Sequence, residues 1–161
     1  MTVQSATSYS TTHGAAYAGM LADQQLYNTV SKLNKSTTVT IPFGRGVVTD
    51  GDDGAKLPVS GSTAAQFVGI TMRELTRAYR EGDVFGAVPI RDFAVITQGV
   101  VWVPAAVTIA KDDPVYMVLA DGTFSNVIGT GATLAVLVNN AKWVSSAATG
   151  VLAKISLGIG G

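Results

Sequence analysis

The densest group of oxygen ligands in the chain is the loop TDGDDG, where Asp50, Asp52 and Asp53 stand close enough together to meet a hard cation such as calcium. A helix-loop-helix calcium site starting at Asp50 requires glycine at its sixth position and a bidentate Glu at its twelfth; the chain has Ala55 and Gly61 there. That motif fails, leaving a looser ion site or, by default, a solvated turn rich in Asp and Gly. Triad catalysis would rest on His13, the only histidine, which lies in a polar tail where nothing holds an imidazole in place. No G-x-S-x-G elbow, G-x-x-x-x-G-K-[ST] loop or H-E-x-x-H helix occurs, and the glycines of IGTGATLA lack the following Lys and hydroxyl that phosphate binding requires. Glu74, Glu81, Asp83 and Asp92 are a carboxylate set from which a glycosidase pair could be drawn, though nothing in their spacing favours it. Trp102 and Trp143 offer stacking faces for sugar, but both lie in apolar strand patterns that favour a core role. Arg73, Arg77 and Arg80 would share one face of a helix and suit a phosphate; a solvated helix or an excursion between strands accounts for them more simply. Asp83 and Asp113 precede strands and suit turn capping. The sequence therefore predicts no catalytic, cofactor-binding or metal site, and a protein that is not an enzyme.

The elements that would position such residues divide the chain in two. Met1 to Ser36 contains ten Ser or Thr, no proline and few charges, with Asp23 the first. It cannot build its own core, yet Tyr17, Met20, Leu21, Leu26 and Tyr27 make it richer in large apolar groups than an idle linker. We expect an arm over residues 1–36 that orders on a partner, with a short helix as one option for its centre, against which Gly19, Thr29 and Val30 weigh. Fully extended, at about 3.3 Å per residue, it reaches roughly 120 Å, against a radius of gyration of about 14 Å for the body.

Residues 37–161 show period-two patterning and turn punctuation. Strands are expected at 39–41, 45–49, 66–72, 84–88, 93–97, 99–103, 115–119, 124–128, 134–138 and 151–157, so the fold class is all-β, a small barrel or sandwich with an extended amino-terminal arm. In the last strand Val151, Ala153, Ile155 and Leu157 alternate with Lys154 and Ser156, and Asp121-Gly122 predicts a two-residue type I′ hairpin turn.

Composition bounds the partners. Lys plus Arg and Asp plus Glu each number 11, so no net charge or basic stripe attracts nucleic acid. The most apolar stretch, Gly99 to Ala110, is too short to span a bilayer and contains Pro104. No cysteine is present, which removes disulfides and thiolate metal sites. The start MTVQSATSYSTTHG has neither a basic region nor an apolar run, which predicts synthesis and folding in the cytosol. With 14% charged and 47% hydrophobic residues, part of the surface is expected to be buried in a homo-oligomer, dimer or trimer.

Taken in order, AGMLADQQLYNTVSKLN, IPFGRGVV, KLPVS, FVGITMRE, KDDPVYMV and AKWVSSAATGVLAKISL resemble the structural cement, or capsid decoration, proteins of tailed bacteriophages. The blocks run from the arm to the carboxyl terminus. The resemblance implies a small β barrel with an extended arm, located on the exterior of the virion capsid and clamping neighbouring copies of the major capsid protein after the head expands. By position, the arm block is Ala18 to Asp23, and the body opens at Pro42, Phe43, Gly44 and Arg45. The expected capsid-binding residues are Tyr17, Gly19, Met20, Leu21, Asp23, Leu26 and Tyr27. Arg45 is read as a surface charge at a strand edge or as the partner of a capsid carboxylate. The stretch RELTRAYREGDVFGAVPIRDF is longer and more charged than the resemblance leads one to expect. The alternative function is a carbohydrate-binding β module of a fibre or adhesin, using Trp102, Trp143 or the tyrosines.

Overall fold

A computed structural model describes residues 16–23, 26–74 and 84–158. Eleven strands are formed: β1 (Asn28–Asn34), β2 (Ile41–Pro42), β3 (Gly46–Asp50), β4 (Gly54–Lys56), β5 (Phe67–Thr71), β6 (Gly86–Ala87), β7 (Arg91–Pro104), β8 (Pro114–Val118), β9 (Phe124–Ser125), β10 (Ala135–Trp143) and β11 (Leu152–Leu157). Nine of them make one sheet in the order β1-β4-β3-β5-β7-β11-β10-β8-β9, and β1 also pairs with β7, which closes β1, β4, β3, β5 and β7 into a small barrel. The other half of the sheet curls back too. Ala105, just past β7, bridges Phe124 in β9, and the Ala106 N–H donates to the Phe124 carbonyl at 2.7 Å. The pair β2 and β6 forms a separate two-stranded ribbon.

The 14-residue β7 is common to both halves: its first part pairs with β1 and β5, its second with β11. Sequence patterning divides this stretch at Gln98 and predicts two strands, because Thr97, Gln98 and Gly99 interrupt the apolar run. The structure carries a single strand through them, with the interruption expressed as a register shift against β1. The strand thereby feeds two cores. Phe93 and Val95 enter a smaller one with Ile41, Val47, Ala55 and Ala87; Ile96, Val101 and Val103 enter a larger one with Met117, Phe124, Trp143 and Ile155.

Two strands lie outside the expected set. β4 is only three residues long. β1 falls within the stretch read as arm, and its seven residues pair with β7 from Asn34↔Arg91 to Asn28↔Gln98. The boundary expected at residue 37 is therefore corrected: the paired strands of the body begin at Asn28. The optional helix is not formed among the described residues: Thr29 and Val30 are β-branched and take strand geometry. In β11, Ala153, Ile155 and Leu157 are buried as the alternation predicts, but Val151 precedes the strand and is exposed, and Ser156 is buried on the opposite face.

The hairpin of β8 and β9 is present with a different turn. Gly122 has φ +73 but Asp121 does not enter the left-handed region, so type I′ is not formed. Instead the Val118 N–H donates to Thr123 O at 2.8 Å across a four-residue loop, and Asp121 Oδ1 accepts from the Thr123 N–H and hydroxyl. Asp121 Oδ2 holds Arg45 at 3.0 Å. The side chain has work on both sides of the turn, and that work selects the longer loop.

Candidate interaction site

Three stretches far apart in sequence meet beside the second half of β7: Ala16–Asp23, the turn at Phe43–Arg45, and Met72–Glu74 after β5. The first runs antiparallel to β7 with Leu21 opposite Val101. Its Gly19 and Ala22 N–H groups donate to the carbonyls of Trp102 and Val100 at 2.7 and 2.8 Å, and Met20 O accepts from the Trp102 N–H at 2.9 Å. On its other side Gly19 O accepts from the Arg73 N–H at 2.8 Å. The segment is a short added strand held from both flanks.

Gly19 and Gly44 explain why two separate sequence blocks each need glycine. Their φ angles are +80 and +74, a region costly for other residues. They also touch. A Cβ on Gly19 would lie 2.7 Å from Thr71 O and 2.9 Å from Gly44 N, and one on Gly44 would lie 2.8 Å from Gly19 N and 2.9 Å from Ala18 Cβ. Below the crossing, the buried Thr71 hydroxyl donates to Pro42 O at 2.8 Å and accepts from the Arg45 N–H at 2.9 Å. The blocks AGMLAD, PFGR and TMRE are thus three sides of one backbone junction.

The Arg73 guanidinium lies 4.4 Å from the centre of the Tyr17 ring and 5.6 Å from that of Phe85. Tyr17 and Phe85 are 49% and 48% exposed and Arg73 is half-buried, so this stacked triplet forms part of the surface. Beside it opens a cleft of about 380 Å³ lined by Tyr17, Gly19, Met20, Leu21, Met72 and Arg73. Leu21 and Met72 pack their inner sides on the large core.

The expected capsid-binding residues therefore fall into two groups. Gly19 is buried, and Met20 and Leu21 are half-buried, with their backbones bonded to this chain's own β7. Tyr17, Asp23, Leu26 and Tyr27 are exposed, Leu26 most of all at 84%, and Tyr27 crosses over Gly99 as the chain enters β1. Sequence reasoning placed Arg73 with Arg77 and Arg80 on a helix face; Arg77 and Arg80 lie outside the described residues, and Arg73 belongs with the aromatics. The only sequence signal for that junction was the co-occurrence of the AGMLAD, PFGR and TMRE blocks.

Elsewhere the polar groups have structural partners. Lysines surround the acidic loop: Lys32 and Lys35 donate to the backbone carbonyls of Asp52 and Asp50, both at 2.9 Å, and Lys56 pairs with the Asp50 carboxylate at 3.1 Å. Among the described residues no three acidic or imidazole side chains gather to hold a metal. Arg45 pairs with Asp121 within the chain at 3.0 Å, beside the start of β3. Trp143 is fully buried, with Nε1 donating to Ser125 O at 3.4 Å, and offers no face to a sugar; Trp102 is half-buried with Lys154 Nζ 4.9 Å from its ring. Of the carboxylate set, Glu74 Oε1 accepts from the Ala94 N–H at 3.1 Å and Asp92 is exposed in β7, while Glu81 and Asp83 lie outside the described residues, as does His13. Asp113 caps as expected. Its Oδ2 accepts from the Ala110 N–H at 2.9 Å and from Asn126 Nδ2 at 2.7 Å, and these bonds, the backbone one first, hold its pKa below the ordinary 3.8.

Comparison with known proteins gives a family-model match over residues 5–158 to "Structural cement protein (E217 gp24/Pam3 gp6)". No curated protein matches. Among solved structures, a chain from "The capsid of Myoviridae Phage XM1" superposes with a TM-score of 0.68 at 19% identity, covering 91% of this chain and 92% of that one. A chain from "The crystal structure of head fiber gp8.5 N base in bacteriophage phi29" matches with a TM-score of 0.39 at 16% identity, covering 82% of this chain and 94% of the other.

Proposed function

The chain belongs to the phage structural cement protein family, and from that premise we propose that it binds the outside of a phage head and stabilises the expanded shell by bridging neighbouring major capsid proteins. The family match over nearly the whole chain carries this reading. It gives the protein a structural role in the capsid and a place in the virion. The geometry supports the finer statement. The docked segment 16–23 commits its inner face to β7 and leaves Tyr17 outward, and Leu26 and Tyr27, just before β1, are exposed too, on a chain with little charge, the composition of a protein interface. Segment and barrel on one chain contribute two modest contacts that act together through effective concentration. Self-association of the body, as a dimer or trimer, belongs to the same proposal, and no chemistry on a substrate is required of it.

The test is sedimentation with undecorated expanded heads. Truncation at Thr37 would remove β1 and open the barrel, so the informative shortened chain begins at Ala16. Full-length protein is expected to pellet with heads, and both the shortened chain and a Leu26→Ser/Tyr27→Ser variant to pellet less. Equal pelleting of all three places recognition in the barrel; failure of the full chain to pellet refutes the proposal.

A further inference from the structure

We propose that Arg73 is a carboxylate receptor: its guanidinium, held between Tyr17 and Phe85, takes an Asp or Glu side chain of the capsid protein, whose apolar neighbours fill the adjoining cleft. The identity of that partner rests on the cement reading; the receptor itself rests on four observations. Arginine presents a rigid planar fork of N–H donors that matches a carboxylate edge to edge, while its flat faces stack on aromatic rings. In this structure the Arg73 guanidinium carbon lies 4.4 Å from the centre of the Tyr17 ring and 5.6 Å from that of Phe85, contacts with ring faces that supply no oxygen acceptor to its N–H donors. Among the described residues the ion pairs are Arg45 with Asp121 and Lys56 with Asp50, and no carboxylate pairs with Arg73. The adjoining cleft is apolar apart from this one group, lined by Tyr17, Met20, Leu21 and Met72, so an anion entering it meets a single complementary charge in partly desolvated surroundings. Tyr and Arg clustered in such a recess have the composition of an interface hot spot. The stack also lowers the entropy lost on binding, because the long side chain is already fixed.

Two measurements on the full chain test this. In the first, the Arg73 Nε–Hε signal is followed by NMR during titration with N-acetyl-glutamate, with sodium chloride as the ionic control. A saturable shift specific to N-acetyl-glutamate, weakened in Tyr17→Leu, supports the receptor; no shift, or one equal to that from chloride, overturns it. A displaced Nε–Hε signal in Glu81→Gln/Asp83→Asn before any ligand is added would assign the fork to this chain's own loop, also overturning it. In the second, Arg73→Met and Arg73→Lys are compared for binding to expanded heads, with thermal melts confirming that each folds. Arg73→Met is expected to weaken binding about tenfold or more, with Arg73→Lys recovering only part because it keeps the charge and loses the fork. Undiminished head binding by a folded Arg73→Met overturns the capsid partner for this site. Absence of head binding by the unsubstituted chain, alongside a positive titration, instead counts against the cement reading and leaves the receptor standing.

Discussion

Replacing Gly19 by Ala sets a methyl group against Thr71 O and Gly44 N at a φ of +80. Left-handed strain and overpacking together are expected to cost about 2–4 kcal/mol, read as a lower urea midpoint with an unchanged slope. Gly44→Ala should behave alike, and the double variant should cost less than the sum because both disturb one crossing. Asp113 gives a prediction in pH. Its folded pKa is depressed by the Ala110 and Asn126 bonds, so its contribution is present above the unfolded value and is lost as pH falls below about 4 through the folded value. Asp113→Asn should therefore flatten the acid limb of the stability curve, which urea titrations at pH 3 and pH 7 would measure. At this scale much was legible in the sequence: the capping role of Asp113, and the arm and body blocks containing Gly19 and Gly44. Their contact was not, because a backbone crossing between residues 25 positions apart leaves no periodic trace. The pairing of Arg73 with Tyr17 was hidden for the same reason.

At the scale of elements, the strand the sequence least announced is among the most firmly placed. β1 has only two apolar residues in seven, Val30 and Leu33, three positions apart among polar neighbours, and a Ser/Thr-rich lead-in that reads as tail. Its placement is completed by Asn34 at its end, which is 1% exposed. Its Nδ2 donates to Val39 O at 2.8 Å and Ala87 O at 3.0 Å, and its Oδ1 accepts from the Ser36 N–H at 3.1 Å. One amide thus ties β1 to the ribbon of β2 and β6. Asn34→Ala strands the buried Ala87 carbonyl and leaves the partly buried Val39 carbonyl and Ser36 amide without this partner, at an expected cost of about 1–3 kcal/mol in equilibrium unfolding. Asn34→Asp should recover little, since the carboxylate lacks the two donors. The turn at Asp121 carries the same lesson. The local Asp-Gly signal located the hairpin correctly, and a distant partner, Arg45, decided its geometry.

For the whole molecule, two cores fed by one strand should melt together. Phe93→Ala in the smaller core and Trp143→Ala in the larger are each expected to cost about 3–5 kcal/mol, and both should leave a single transition with coincident fluorescence and circular dichroism. Two resolved transitions would mean that β7 does not couple them. The all-β class and a barrel were legible from ten short apolar runs. Closure was not, since it depends on β1 pairing with β7, between residues 57 to 70 positions apart. That closure has a consequence for crowded molecules. A strand with an unpaired edge is a template for the next molecule, and the hazard grows with crowding. In this fold each strand of the nine-stranded sheet has a neighbour on both sides, through a full ladder or a single bridge. Molecules crowded together therefore meet this sheet mainly as side chains, while the strands of the β2 and β6 ribbon, two residues each, have no second strand partner.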